Sequence, residues 1–432
     1  MTTDLDPTQA DELARAAAPH LVTDLPGPRA QEWIERDRAV TSPSMGRVYP
    51  LVPARASGLV IEDVDGNRFL DCNAGIAVTS TGHCHPQVVA AIEAQARTLI
   101  HYCSSDFYPP VYAELCERLA ATAPMPGPTK VFLTNSGTEA VEAAIKLARH
   151  TTGRTDLIAF LGSFHGRSLG SLSLTASKAK YRAGFGPLLP GVHHAPYGVE
   201  GHIEDVIFRH LTPPEDVAAI VVEPVLGEGG YVVPPAGWLA SLRELCTRHG
   251  IVLVVDEVQS GIGRTGRMWA VEHEDVEPDI LLSGKGIASG LPLGALVARS
   301  ELMRWTPGAH GSTYGGNPVA CAAALATLDL VEGGLATHAG QVGELLRSLV
   351  RAATDREPLI TDVRGRGLMI GVDFATHADA AAVEQACFRR GLLVLTCGER
   401  TVRLAPPLTI SEEQARTAVD VLVAACADVR AA

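Results

Sequence analysis

Residues 219–256 read AIVVEPVLGEGGYVVPPAGWLASLRELCTRHGIVLVVD. Two apolar runs, Ala219–Glu223 and Ile251–Asp256, are strand-sized, and each closes on a carboxylate. Between them, Gly237–His249 reads as a helix stopped at His249-Gly250, because glycine readily takes the left-handed turn that ends helices. Unbroken apolar strands joined through a helix predict a parallel sheet covered on both faces, an α/β fold. The alternation continues outward in both directions. Val131–Thr134 precedes a helical stretch, Glu139–His150, with apolar Val141, Ile145 and Ala148 on one face. Leu157–Leu161, Ile280–Ser283 and Gly294–Ala298 are further strands, and an Ala-rich helix runs from Pro318 to about Glu332. Beyond it, Val363–Phe374, Ala380–Arg390, Leu392–Thr396, Thr401–Leu404 and Glu412–Val429 read as a smaller α+β unit. At the other end, a Pro- and charge-rich arm carries one helix near Ala30–Arg38, and residues 58–71 alternate around Asp65-Gly66 as a hairpin. The expected division is an arm and hairpin over 1–84 that join a small domain, a large domain over 85–320, and the rest of the small domain over 321–432.

Composition narrows the function. The chain has 432 residues, 46% of them hydrophobic, and a formal net charge of −13. Such a length allows two or three domains, and such a charge repels phosphate backbones and anionic lipid, which argues against nucleic-acid or membrane partners. Nine scattered cysteines without a C-x-x-C pair read as reduced thiols of a cytoplasmic protein. The start, MTTDLDPTQADELARAAAPHL, is acidic and has no apolar stretch of the signal-peptide kind. Runs such as Ile251–Val255 are far shorter than a bilayer span.

Four motifs carry chemistry. In Ser283-Gly284-Lys285-Gly286, a lysine at a strand's end is flanked by glycines, which let a bulky ring approach the backbone. Taken alone, Lys285 is an ordinary solvated lysine. Asp256 closes an apolar strand, where an unpaired carboxylate is costly; there it can pair with a protonated pyridine nitrogen, cap a helix or bind a metal. Ser136-Gly137-Thr138 opens the Glu139–His150 helix, and free N–H groups at a helix start suit a phosphate, though the same residues also make a plain N-cap. Ser163-Phe164-His165-Gly166-Arg167 supplies an aromatic to stack on a ring and a cation beside it.

In this order the motifs resemble those of the class III (ω-amino acid) aminotransferases of fold-type I, 4-aminobutyrate aminotransferase-like, over essentially residues 25–430. The matching stretches are GIAVTSTGHCHP, TNSGTEAVEAAIKLAR, FHGR, VVEPVLGEGG, VVDEVQSGIGRTG, SGKGIASGLPLGA, GSTYGGNP and VRLAPPLTI. The resemblance implies pyridoxal 5'-phosphate as cofactor, Lys285 as its Schiff-base lysine and Asp256 as the partner of its ring nitrogen. It places Val258 on one ring face and Phe164 on the other, and Gln259 at the 3-hydroxyl. Ser136, Gly137 and Thr138 fall in the phosphate cup, and His165 and Glu223 complete the cofactor contacts. Thr313 reaches the phosphate from a neighbouring subunit, so a homodimer or a dimer of dimers is expected. Ile76, Arg167, Glu228 and Arg403 match the substrate contacts of the 4-aminobutyrate branch. There the two arginines take carboxylates and the glutamate pairs with the position of Arg403. The chain departs from the family pattern at Leu226, where a Gln is common, and at Cys72-Asn73-Ala74. The expected reaction is ping-pong transfer of an amino group from an ω-amino acid such as 4-aminobutyrate to a 2-oxo acid such as 2-oxoglutarate. Racemases and epimerases of the same family are the alternative.

Other motifs compete for attention. Gly261-Ile-Gly263-Arg-Thr-Gly266 fits G-x-G-x-x-G, but it follows Asp256-Glu257 and opens no helix, so a dinucleotide site is not expected. Gly166-Arg-Ser168-Leu-Gly170 fits the serine-hydrolase elbow, which needs a helix after it; Ser171–Thr175 reads as β. His83-Cys84-His85 has no companion cluster, and no metal is expected. A binding protein of the same fold would lack the reactive lysine.

Overall fold

The computed structural model describes residues 12–432, so the first eleven residues of the expected N-terminal arm lie outside the described residues. The arm's helix spans Pro28–Val40. Strands β1 (Pro53–Ser57), β2 (Val60–Asp63) and β3 (Arg68–Asp71) follow. β2 and β3 form the expected antiparallel hairpin.

The central sheet has seven strands: β4 (Thr129–Thr134), β5 (Asp156–Phe160), β6 (Val192–Ala195), β7 (Val217–Val222), β8 (Val252–Asp256), β9 (Ile280–Ser283) and β10 (Gly294–Arg299). Their spatial order is β4-β10-β9-β8-β7-β5-β6. The pairs from β9 through β8, β7 and β5 to β6 are parallel. β10 is antiparallel to both β9 and β4, so the sheet is mostly parallel. Every residue of β7, β8 and β9 is buried, which is why these strands are apolar up to the polar residues, Asp256 and Ser283, that end β8 and β9 at the site. Helix Gly137–Thr152 packs Ala140, Val141, Ala144, Ile145 and Leu147 into the core. Helix Trp238–His249 ends at Gly250 with φ 61°, as the sequence predicts.

The C-terminal sheet contains β11 (Ile360–Arg366), β12 (Met369–Phe374), β14 (Leu395–Cys397) and β15 (Thr401–Leu404), in the order β11-β12-β15-β14. The two-residue strand β13 (Leu392–Leu393) instead pairs in parallel with β3, joining the N-terminal hairpin to the C-terminal region. Thus the single stretch expected over Val363–Phe374 is a hairpin, and Leu392–Thr396 is divided between two sheets. Helix Glu412–Ala431 closes the chain.

Two further differences from the sequence reading concern helices. Leu169–Leu174 is helical, not β; Ser173 donates to Leu169 O at 2.6 Å, a helical i to i−4 bond. Its Ser/Leu alternation carries no facial information because Ser171, Leu172, Ser173 and Leu174 are all buried. Helix Ala336–Thr354 was not anticipated. The Pro318–Thr354 stretch is long and apolar enough to cross a membrane by composition. It bends at Gly334 (φ 136°), and Ala320, Ala323, Ala324, Leu328, Leu346 and Val350 are buried in the protein's own core.

Candidate functional site

The carboxyl ends of β4, β5, β7, β8 and β9 meet at one edge of the central sheet, the edge where open α/β sheets hold ligands. Asp256 ends β8 and pairs in register with Leu282 of β9, three residues before Lys285. Lys285 itself has φ 43°, a left-handed conformation costly for a non-glycine residue. Nearby backbone is also strained: Ala74, Ile76 and Ala77 have φ of 51°, 70° and 57°. That segment packs on the turn after Lys285, since a Cβ on Gly286 would lie 2.3 Å from Ser80 Oγ and 3.8 Å from Ala77 O. A β-branched residue in the left-handed region, as at Ile76, persists only where surrounding structure holds it, and such strain gathers at functional sites.

Asp256 is buried; its Oδ2 meets His165 Nδ1 at 2.7 Å and its Oδ1 accepts from Val258 N at 3.0 Å. His165, from the segment after β5, is 3% exposed, and its Nε2 is buried without a hydrogen-bond partner. Glu223, after β7, lies close enough that one ligand atom each from His165, Glu223 and Asp256 falls within 4.8 Å of the others. Burial, then the charge of Asp256, pushes the Glu223 carboxyl well above its ordinary value.

The helix beginning at Gly137 supplies the opposite side. Ser136 is its N-cap, accepting from Glu139 N at 3.4 Å. Among the described residues, the N–H groups of Gly137 and Thr138 carry no hydrogen bond, as expected for a helix's first turn. A Cβ on Gly137 would stand 2.8 Å from Val258 Cγ1, and one on Gly284 3.4 Å from Gly137 N. Glycine at 137 therefore lets the helix start, Val258 and the Lys285 turn close on one another. Thr138 Oγ1 is engaged by Ser168 (2.7 Å) and Ser171 (2.6 Å). Gln259 is buried, its Oε1 accepting from Tyr231 at 2.8 Å while its amide nitrogen lies beside Gly227.

The outer wall is charged. Arg403, on β15, is ion-paired to Glu228, with side chains 3% and 16% exposed. Burial opposes ionisation of Glu228, but the charge and hydrogen bond of Arg403 outweigh it and hold the carboxyl below its ordinary value. Lys285 feels the same surroundings: burial lowers its pKa, opposed by Glu228 and Asp256. Arg167 is exposed and lies over Tyr181 (3.9 Å to the ring centroid) and near Phe164 (5.6 Å). Ile76 is 41% exposed. Thr313 is exposed on this chain's surface, one residue from Ser312, whose Oγ accepts from Asn135 Nδ2 at 3.1 Å. Of the sequence-predicted residues, Ile76, Arg167 and Thr313 are exposed, outside the buried cluster.

Lys178 and Tyr231 escaped the sequence reading. The Lys178 charge acts on Glu228. Its signal was the basic, aromatic run Lys178-Ala-Lys180-Tyr181-Arg182. The competing motifs resolve differently from one another. No α-helix follows Gly266, and Arg264 is buried against Pro406 O. A helix does follow Ser168, so the β reading used against a hydrolase elbow is corrected; Ser168 Oγ instead donates to the Glu142 carboxylate at 2.5 Å. His83 is bound to Asp71 at 2.8 Å, leaving a turn rather than a metal cluster.

The Aminotransferase class-III family matches residues 41–426. An acetylornithine aminotransferase of Methanopyrus kandleri is 46% identical over 86% of this chain and 93% of its own length. A 4-aminobutyrate aminotransferase of Mycobacterium tuberculosis is 40% identical over 94% and 98%. An alanine/serine racemase of Pyrococcus horikoshii is also similar, 37% identical over 95% and 93%. Among solved structures, an ornithine aminotransferase of Toxoplasma gondii superposes with a TM-score of 0.87 at 33% identity, covering 95% of this chain and 96% of the other. The chain belongs to the class III aminotransferases. It is a pyridoxal-phosphate-dependent enzyme, and the residues present fit that group: a desolvated lysine, a buried carboxylate and the N–H groups of a helix start lie together at the carboxyl edge of the sheet.

Proposed function

We propose that this aminotransferase takes its amino group from an ω-amino acid such as 4-aminobutyrate and passes it to a 2-oxo acid, 2-oxoglutarate in particular. The observation that carries the reading is the Glu228–Arg403 pair, buried and close enough for both charges to act on Lys285. 4-Aminobutyrate and acetylornithine each present a primary amine at the far end of a chain from a carboxylate. With such a donor, Glu228 neutralises Arg403 while Arg167 takes the distal carboxylate. Glutamate brings an α-carboxylate, which displaces Glu228 from the arginine fork.

When bound, pyridoxal phosphate supplies an aldehyde for the amine and a ring that stabilises negative charge at the substrate carbon. Lys285 would hold the cofactor and then move the proton on the substrate carbon that bears the amine; a desolvated amine with a lowered pKa suits that task. Asp256, held by His165, keeps the ring nitrogen protonated. Gly137 and Thr138 N–H groups and Ser136 would bind the phosphate, Val258 and Phe164 would hold the ring, and Gln259 would donate to its oxygen. Glu223, its carboxyl pushed well above the ordinary value by burial and by the charge of Asp256, would complete the ring's surroundings. Thr313 acts from a second copy in a homodimer. The exposed Ile100, Tyr102, Phe107, Tyr108 and Tyr314 support that assembly, since clustered apolar surface marks interfaces. Nine free cysteines fit a cytoplasmic setting.

The relative that racemises alanine and serine supports a second reading, in which Glu228 serves as a second acid/base. A panel of amino donors offered with 2-oxoglutarate and with pyruvate, followed by chiral analysis, separates the two. Glutamate formed from an ω-amino donor is the expected result. Racemisation of an L-amino acid without any oxo acid would move the assignment to the second reading.

A further inference from the structure

The loop carrying Glu228 is tied by its backbone to the C-terminal sheet at two carbonyls. Gly398 N donates to Glu228 O at 2.7 Å. Arg364, on β11, donates to Gly230 O from both Nε (3.1 Å) and Nη2 (2.7 Å). The same Nη2 reaches Asp373 Oδ1 on β12 at 2.8 Å and Thr401 Oγ1 on β15 at 2.9 Å. Thr401 in turn donates to Asp373 at 2.5 Å. There is no slack in this contact: a Cβ on Gly230 would lie 3.2 Å from Thr401 Oγ1 and 3.3 Å from Arg364 Nη2. One guanidinium therefore joins the backbone two residues past Glu228 to the strand that bears Arg403, two residues beyond Thr401.

We infer that Arg364 is a positioning residue that fixes Glu228 against Arg403 and thereby sets which carboxylate the site accepts. It touches neither substrate nor cofactor. Its planar fork gives two donors to one carbonyl and a third contact to the Asp373–Thr401 pair, an arrangement that the point charge of a lysine does not reproduce. With the fork removed, the loop loses one of its two backbone-carbonyl ties to the C-terminal region and Glu228 spends less time on Arg403. An uncovered Arg403 then attracts the carboxylate of an ω-amino donor to the wrong end of the site, whereas an α-carboxylate binds it as before.

The inference rests on the proposed exchange of Glu228 for an α-carboxylate, so the test carries its own control. Arg364→Lys and Arg364→Ala are compared with Glu228→Gln and Arg403→Ala in both half-reactions, alongside amide hydrogen exchange over residues 226–232 and thermal unfolding. The expected result for Arg364→Lys is faster exchange in that loop. Its kcat/KM with the ω-amino donor should fall on the order of 3- to 10-fold, the scale of modest couplings through a network, with under about 2-fold change for 2-oxoglutarate. Arg364→Lys keeps a cation beside Asp373, so it reports even if Arg364→Ala fails to fold. If Glu228→Gln and Arg403→Ala shift the two half-reactions oppositely but Arg364→Lys moves both equally or neither, Arg364 is merely structural and the inference is overturned. If Glu228→Gln and Arg403→Ala alter both half-reactions alike, the exchange itself is wrong and the inference falls with it.

Discussion

Replacing Glu228 by glutamine leaves the Arg403 guanidinium in its buried position without the anion that now neutralises it. The Arg403 side chain is 3% exposed, and its Nε already lacks a hydrogen-bond partner. Removing one member of a buried ion pair costs about 3–5 kcal/mol. Because the Glu228 side chain is 16% exposed and a glutamine amide oxygen in the same place can still accept from Arg403, the lower end, about 3 kcal/mol, is the expected loss of stability. The kinetic consequence should be one-sided. An ω-amino donor meets an uncompensated cation where it has no carboxylate to offer, while 2-oxoglutarate still finds the charge that it needs. A charge-assisted pair lost from transition-state binding corresponds to about 2–4 kcal/mol, or roughly 30- to 1000-fold in kcat/KM. Arg403→Ala should show the mirror image, with 2-oxoglutarate losing by that factor and the ω-amino donor by much less. Stopped-flow measurement of the two half-reactions, each with one substrate and enzyme in the matching cofactor form, reads both effects. Equal losses in both half-reactions for both variants would refute the reasoning.

Asp256→Asn should slow Cα deprotonation at least 100-fold, on the order of a missing electrostatic partner, with the fold retained; unchanged single-turnover rates would assign the ring nitrogen to another group. Glu257 offers a pH test. Burial raises its carboxyl to about 7, so the folded state holds the proton more tightly than the unfolded chain. Its stability contribution is complete below the unfolded pKa and is lost as pH rises to about 7. The rise from the ordinary 4.5 corresponds to about 3 kcal/mol. Glu257→Gln should flatten that part of the pH–stability curve in urea titrations, and an unaltered slope between those pH values would count against it. If Thr313 serves a neighbouring copy, sedimentation should show a dimer, and a catalytically competent monomer would contradict that role.

The sheet was legible because strands buried on both faces are apolar along their length, as β7 is and as β8 and β9 are up to their closing Asp256 and Ser283. The left-handed stop at Gly250 was equally local. Leu169–Leu174 misled because its alternation arises in a helix whose serines are buried and bonded to backbone and to Glu142. Helix Ala336–Thr354 did carry a signal, with buried Ala339, Val342, Leu346, Val350 and Ala353 at helical spacing, diluted by glycines at 333, 334, 340 and 343. In the site, residues close in sequence to Lys285 and Asp256 could be read directly. Tyr231 on Gln259 and Arg364 on Gly230 could not, since the latter pair is 134 residues apart in the chain. Only the folded sheets bring their strands together.

The role assigned to Lys285 is open to a direct chemical measurement. Borohydride reduction of the cofactor-loaded enzyme, followed by proteolysis and mass spectrometry, locates the amine that holds pyridoxal phosphate. The account predicts loss of the visible absorption band and a reduced pyridoxyl-phosphate adduct on Lys285. Lys285→Ala should show neither the band nor turnover. An adduct on any other lysine, or normal turnover by Lys285→Ala, would contradict it.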